Sequence, residues 1–305
     1  MTLLEAYSFR IRKKSKRKDP FVSLHKFDGK TNLIQEFGKF VKAKSNGPIT
    51  IDIQSRCIMF EGVTSTIDSV AGRMRQGQYG KAAPLIDVTR RQKSYDKKKN
   101  EAELVPHFFY FYFPEGASIG VLLVERRGQS GIFSLLSGII EHAFAEAHPQ
   151  FSVVFKPLMP ATVLEKFLSE GVLCEARFIS YKVPQDIADK LIVAGSQIKH
   201  EYEVIIRAKS RLQRLPFIKF YSGEEKDLEK VLEDHMQTSV DDVKIEVELG
   251  GRRRTIDLGN PGKLKASFEI DTSKFEDRDG FPQVASMIHE GKQLASTLSA
   301  SLNKS

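Results

Sequence analysis

Lysine and arginine gather at three places in this sequence. Arg10 and Arg12 lead into Lys13-Lys14-Ser15-Lys16-Arg17-Lys18; Arg207, Lys209 and Arg211 alternate, with Arg214 close behind; and Arg252-Arg253-Arg254 follow Gly250-Gly251. The chemistry open to such groups is electrostatic. A guanidinium or ammonium held at a phosphate oxygen neutralises it and releases a condensed counterion, whatever the base sequence. Alternation puts Arg207, Lys209 and Arg211 on one side of an extended segment. A Gly-Gly hairpin presents Arg252, Arg253 and Arg254 at its tip, where salt bridging to their own acidic strand is the competing role. A membrane-surface arm competes for Lys13 to Lys18, but no amphipathic helix with bulky apolar anchors flanks that run.

Bond-making chemistry finds less support. Gly-Lys pairs occur without the spacing of a phosphate-binding loop, and neither Gly-x-Ser-x-Gly nor His-Glu-x-x-His is present. His142, Glu146 and His148 carry zinc-ligand chemistry near one helix end, although helix-lining and capping histidines are the plainer reading. Glu246 and Glu248 share one face of a strand preceded by Asp241-Asp242. A Mg²⁺-dependent nuclease is therefore the runner-up, against a merely solvated acidic face. The expectation is a non-enzymatic chain with no cofactor, no metal and no catalytic residues.

Positioning these groups falls to elements legible from periodicity. Tyr7 to Arg12 alternates as a short strand. Leu33, Ile34, Phe37, Phe40 and Val41 recur at helical spacing behind Thr31 or Asn32 as N-cap. Strands are predicted at 49–53 and 57–60, a short helix at 66–76, and an exposed basic loop or frayed helix at 77–100. His107 to Phe113 and Ser118 to Glu125 flank the turn Pro114-Glu115-Gly116-Ala117 as a buried hairpin, so the aromatics of 108–113 are core rather than a base-stacking platform. A helix follows at 132–144, a strand at 151–155, a capping-box helix from Thr162 to Gly171, and a strand at 172–183. Further strands are predicted at 202–206 and 243–249, the latter paired with 255–258, and a polar helix at 224–236. Apolar residues from Val284 to Leu302 mark a terminal helix whose stripe is one candidate dimer interface. Without a regular βαβ period the fold class is α+β, mixed and antiparallel sheets packed with helices. Two domains are expected, 1–195 with the basic arm and 196–305 with the basic hairpin and terminal helix.

Bulk properties agree with a polyanion-facing surface. The net charge of +8 is unevenly held: residues 1–100 carry 22 Lys/Arg against 9 Asp/Glu, the remainder 25 against 30. No apolar run is long enough to span a membrane, no secretory signal is evident, and the two cysteines lack metal or redox spacing. A reduced intracellular compartment, the cytoplasm, is the expected location.

Phe108-Phe109-Tyr110-Phe111-Tyr112-Phe113-Pro114-Glu115-Gly116-Ala117-Ser118-Ile119-Gly120 resembles a segment of the RexA-like phage-exclusion proteins. Lys156-Pro157-Leu158-Met159-Pro160-Ala161-Thr162, the Tyr7-to-Lys18 stretch and the Val204-to-Lys209 strand fall in the same order. The resemblance implies a homodimer of two-domain subunits with a fold similar to the recombination-associated protein RdgC. It also implies binding to double-stranded DNA without sequence preference, and action in phage exclusion beside a membrane-embedded partner. Cationic residues on a late strand contribute to DNA binding in that family. Here Val243 to Leu249 carries Glu246 and Glu248 instead, which moves the expectation to Arg252–Arg254. A protein-interaction module with an incidental basic arm is the third reading.

Overall fold

The computed structural model describes residues 2–14, 21–128, 130–159, 170–180, 202–207, 242–249, 252–257 and 266–302. In chain order the elements are β1 (Thr2–Lys13), β2 (Phe21–Val22), α1 (Leu33–Ala43), β3 (Ile49–Ile51), β4 (Arg56–Ser65), β5 (Ser69–Gln78), β6 (Ala83–Asp87), β7 (Gln92–Lys97), β8 (Val105–Tyr112), β9 (Gly120–Arg127), β10 (Ser130–Gly131), α2 (Phe133–Ala147) and β11 (Phe151–Pro157). There follow β12 (Val172–Ser180), β13 (Tyr202–Arg207), β14 (Asp242–Leu249), β15 (Arg252–Asp257), β16 (Ser267–Ile270) and α3 (Val284–Leu302). The class is α+β, with antiparallel pairing between the strands. The chain divides into two compact units, residues 1–157 with 265–305, and residues 158–264. Residue 195, where a boundary was expected, lies outside the described residues.

The first unit is built on one large sheet, in the order β11-β1-β9-β8-β5-β4-β3. Alternation along its strands separates two apolar sets. Tyr7, Phe9 and Ile11 of β1, Phe109 and Phe111 of β8, and Leu122 and Val124 of β9 join Leu33, Phe37 and Val41 of α1 and Leu136, Ile140 and Phe144 of α2 in one core. On the opposite face Gly291 of α3 lies against the rings of Tyr110 and Phe108, and Met287, Ala295 and Leu298 are buried with it. The apolar stripe of the terminal helix is therefore spent on the sheet and is not a free dimer surface.

The aromatic run is explained by this sandwich. β8 lies mid-sheet with a layer on each side, so Phe108, Phe109, Tyr110 and Phe111 are all at most 2% exposed although they point alternately to opposite faces. Each ring contributes ~2 kcal/mol through apolar burial. The same placement corrects the expected helix at 66–76. Ser69–Gln78 is the strand beside β8, with Val70 and Met74 buried on one face and Ala71 on the other. A strand buried on both faces need not alternate, and its apolar spacing imitates a helix. The α1 cap is Asn32, whose side chain accepts from the Ile34 amide at 2.9 Å.

Gly120 opens β9 beneath the ring of Phe9. A Cβ there would lie 2.1 Å from Phe9 Cζ, and that ring is itself boxed in by Phe111 and Phe113 with centroids 5.6 and 5.1 Å away. Gly120→Val should cost about 3 kcal/mol as an overpacked core with nowhere to relax; urea unfolding of the purified variant would measure it, and unchanged stability would show that Phe9 can move.

The second unit contains the antiparallel sheet β13-β12-β14-β15. Ala176, Phe178, Ile245 and Val247 are buried. The residues between them, Glu175, Arg177, Lys244 and Glu246, alternate to the other face. Among the described residues, no helix is long and apolar enough to cross a membrane.

Candidate nucleic-acid interface

The predicted cations fall in both units, and only some of them are among the described residues. Arg10 and Arg12 alternate with buried Phe9 and Ile11 and so emerge on the other face of β1. The Arg10 guanidinium lies 4.7 Å over the ring of Phe21, which pairs with Arg12 from β2. Cation–π packing of this kind fixes the side chain without cancelling its charge. Lys13 and Lys14 are exposed at the strand end, the Lys14 amide donating to Gln150 O at 2.8 Å. Lys156 is exposed on β11 at the position facing Ser8. No carboxylate among the described residues pairs with these three lysines. Lys16, Arg17 and Lys18 lie outside the described residues.

In the second unit Arg207 is committed. Its Nε and that of Arg177 both donate to the carboxylate of Glu175, and Arg177 also lies 3.8 Å from Glu203. Burial alone would raise the Glu175 carboxyl, but the bonds from Arg207 and Arg177 outweigh it and hold it below the usual range. The Arg207 charge is thus already shared within the sheet. Lys209, Arg211 and Arg214 lie outside the described residues. Arg252, Arg253 and Arg254 are not at a loop tip: they form the first half of β15, standing opposite Leu249, Glu248 and Val247. The ladder simply extends further toward Gly250-Gly251 than the turn signal implied.

The carboxylates and histidines weighed for metal chemistry separate into pairs. His148 Nε2 lies 3.2 Å from Glu36 of α1 with its ring edge-on to Phe27, while His142 and Glu146 face each other at 3.7 Å along α2. Among the described residues no group of three or more His, Cys, Asp or Glu is arranged to hold a metal ion. Glu246 stands opposite Glu175 and Thr255, and Glu248 lies 4.0 Å from Cys174 Sγ.

The basic stretch expected at 77–100 as an exposed loop or frayed helix contains a β-ribbon. β6 and β7 pair only with each other, apart from the main sheet. Asp87 closes the turn, its Oδ1 accepting from the amides of Thr89 and Arg90 at 2.9 Å each, and Arg91 takes a left-handed φ of 53°. Residues 79–100 hold seven Lys/Arg against two Asp. Lys81, Arg90, Arg91, Lys93, Lys98 and Lys99 are exposed. Both aspartates are used locally, Asp87 at 3.7 Å from Arg90 and Asp96 at 2.7 Å from Lys93. Exposed pairs of this kind contribute less than about 1 kcal/mol and yield readily to a phosphate. The ribbon root is anchored by the bond from Gly80 N to Lys99 O at 2.6 Å and by the approach of Glu103 to Gly77, where a Cβ would meet the Glu103 carbonyl at 1.9 Å. Beside it, Arg56, Gln76, Lys97, Glu103 and Ser130 line a polar cleft of about 380 Å³.

Strand direction separates this ribbon from the first patch. β1 runs antiparallel to β9, β9 to β8 and β8 to β5, so the Lys13 end of β1 and the Gln78 end of β5 are opposite ends of the sheet. Among the described residues, these two cationic groups of the first unit therefore lie apart rather than in one continuous surface. Asp87, a turn-opening residue between Ala83-Pro84-Leu85-Ile86 and Gln92 to Lys97, was the signal that could have located the ribbon. No protein-family model matches the chain, and no curated protein matches it.

Proposed function

We propose that this chain is a non-enzymatic, sequence-nonspecific binder of double-stranded DNA, acting through Lys/Arg contacts to the phosphate backbone. The observation that carries the reading is the ribbon with its flanks, residues 79–100, a stretch built on two exposed strands that holds seven cations and two aspartates. Lys13, Lys14 and Lys156 supply a second contact region, with Arg10 and Arg12 beside it. Arg207 contributes little because Glu175 holds it, and Arg252–Arg254 extend the reading to the second unit. The resemblance to RexA-like proteins supplies the biology: a homodimer of two-domain, RdgC-like subunits in a bacterial cytoplasm, excluding phage beside a membrane-embedded partner. No cofactor enters this reading.

Counterion release makes the test direct. If six or more phosphates are neutralised, duplex affinity should fall about 1,000-fold between 50 and 200 mM salt, measured by gel shift. Affinity constant over that range would overturn the proposal.

A further inference from the structure

Four large apolar side chains of the ribbon are left in solvent. Leu85 is 41% exposed, Ile86 54%, Val88 84% and Tyr95 45%. Two strands standing alone bury too little to hide such residues, and the body of the first unit does not cover them. Their placement is ordered. Leu85 faces Tyr95 across the ribbon and Ile86 faces Lys93, while Val88 stands in the turn two residues before Arg90 and three before Arg91.

Charge decides what can cover them. A second copy of the ribbon with its flanks, residues 79–100, would set seven cations and two aspartates against the same number, and like-charge repulsion opposes that pairing. The partner must be a polyanion that also offers an apolar surface. A duplex does both, with phosphates along the groove walls and stacked base faces between successive pairs. Arginines are drawn to the negative potential of a narrow minor groove, and an apolar side chain delivered there can enter a base step and unstack it. The turn carries two arginines and one apolar side chain within four positions, which suits entry tip-first. An anionic lipid surface also combines negative charge with apolar depth, but one valine at the tip is a small anchor for a bilayer.

We infer that the β6–β7 ribbon enters the minor groove of duplex DNA and sets Val88, backed by Ile86, as a wedge at a base step, with Arg90, Arg91 and Lys93 on the flanking phosphates. This rests on the nucleic-acid reading above. It makes the chain a device that deforms DNA rather than one that only coats it.

The test uses the full chain with a short duplex carrying 2-aminopurine, whose emission rises when its neighbour is unstacked, and follows binding separately by anisotropy. Wild-type protein at saturation should raise the emission severalfold. The double variant Ile86→Ala/Val88→Ala should bind within about threefold of wild type yet leave the emission at the free-duplex level, and Val88→Leu, which keeps an apolar tip, should retain the rise. Saturation of the duplex without an emission change, a rise that survives in the double variant, or a rise lost in Val88→Leu would each overturn the wedge while leaving duplex binding intact. Failure of wild type to bind the duplex would overturn the nucleic-acid reading itself. Co-sedimentation with phosphatidylserine vesicles that depends on Val88 and Ile86, without unstacking, would assign the ribbon to lipid instead.

Discussion

Replacing Arg90, Arg91 and Lys93 together with glutamine should weaken duplex binding on the order of 100-fold near physiological salt. Each removed phosphate contact is worth ~1 kcal/mol, and tenfold in affinity corresponds to about 1.4. The dependence of log affinity on log salt should become shallower by about three, one for each cation lost. Arg207→Gln provides the contrast. Its guanidinium is bonded to Glu175, so its removal should change duplex affinity less than about threefold, although it unsettles the carboxylate left behind. Anisotropy titrations at several salt concentrations measure both. If Arg207→Gln proved as costly as the ribbon triple, or if the triple left affinity unchanged, the ribbon would not be the principal contact. The triple variant should fold normally, because β6 and β7 pair only with each other and the three side chains are exposed.

The sequence was most legible where one physical cause dominates. The hairpin of β8 and β9 follows from two apolar runs joined by a turn with Gly116 at a φ of 69°, and α1 follows from its stripe behind Asn32. It was least legible where tertiary placement overrides local pattern. Val70, Ala71 and Met74 look helical only because the strand that holds them is buried on both faces. The ribbon fails in the opposite way: with no buried face it has no hydrophobic alternation, and Leu85 and Ile86 are adjacent across a bulge. Charge counting located the first third of the chain as the cationic part. It could not tell that β1 delivers its cations to one end of the sheet while β5 delivers the ribbon to the other. That follows from strand order, which depends on long-range pairing that no local signal specifies. Arg207 makes the same point, since its partner Glu175 is 32 residues away on the neighbouring strand.

A second large effect is expected from His107, which sits at the start of β8, fully buried and 3.4 Å from Ser130 at the edge of the ribbon-root cleft. Burial, reinforced by the nearby Arg127 guanidinium, pulls its pKa down from 6.5 to about 4. The folded protein therefore holds this ring neutral, while the unfolded chain takes up a proton from about pH 6.5 downward. Stability is fully present above that value and is lost as pH falls toward 4, by about 3 kcal/mol. Glu36, Asp68 and Asp277, whose carboxyls are held below their usual values, lose their contribution only at still lower pH. Glu125 works in the opposite sense. Burial raises its carboxyl, so the folded state takes up that proton first and gains stability as pH falls. In His107→Gln the acid-side loss should consequently flatten or reverse, with Glu125 left to set the slope. Urea unfolding at pH 7 and pH 4 for both proteins measures the difference directly, and parallel behaviour of wild type and variant would mean that His107 is hydrated in solution. Because Ser130 borders the same cleft as Arg56 and Lys97, the loss should begin as loosening at the ribbon root. Hydrogen exchange of the amides of β7 and β8 should therefore accelerate before global unfolding as the pH is lowered.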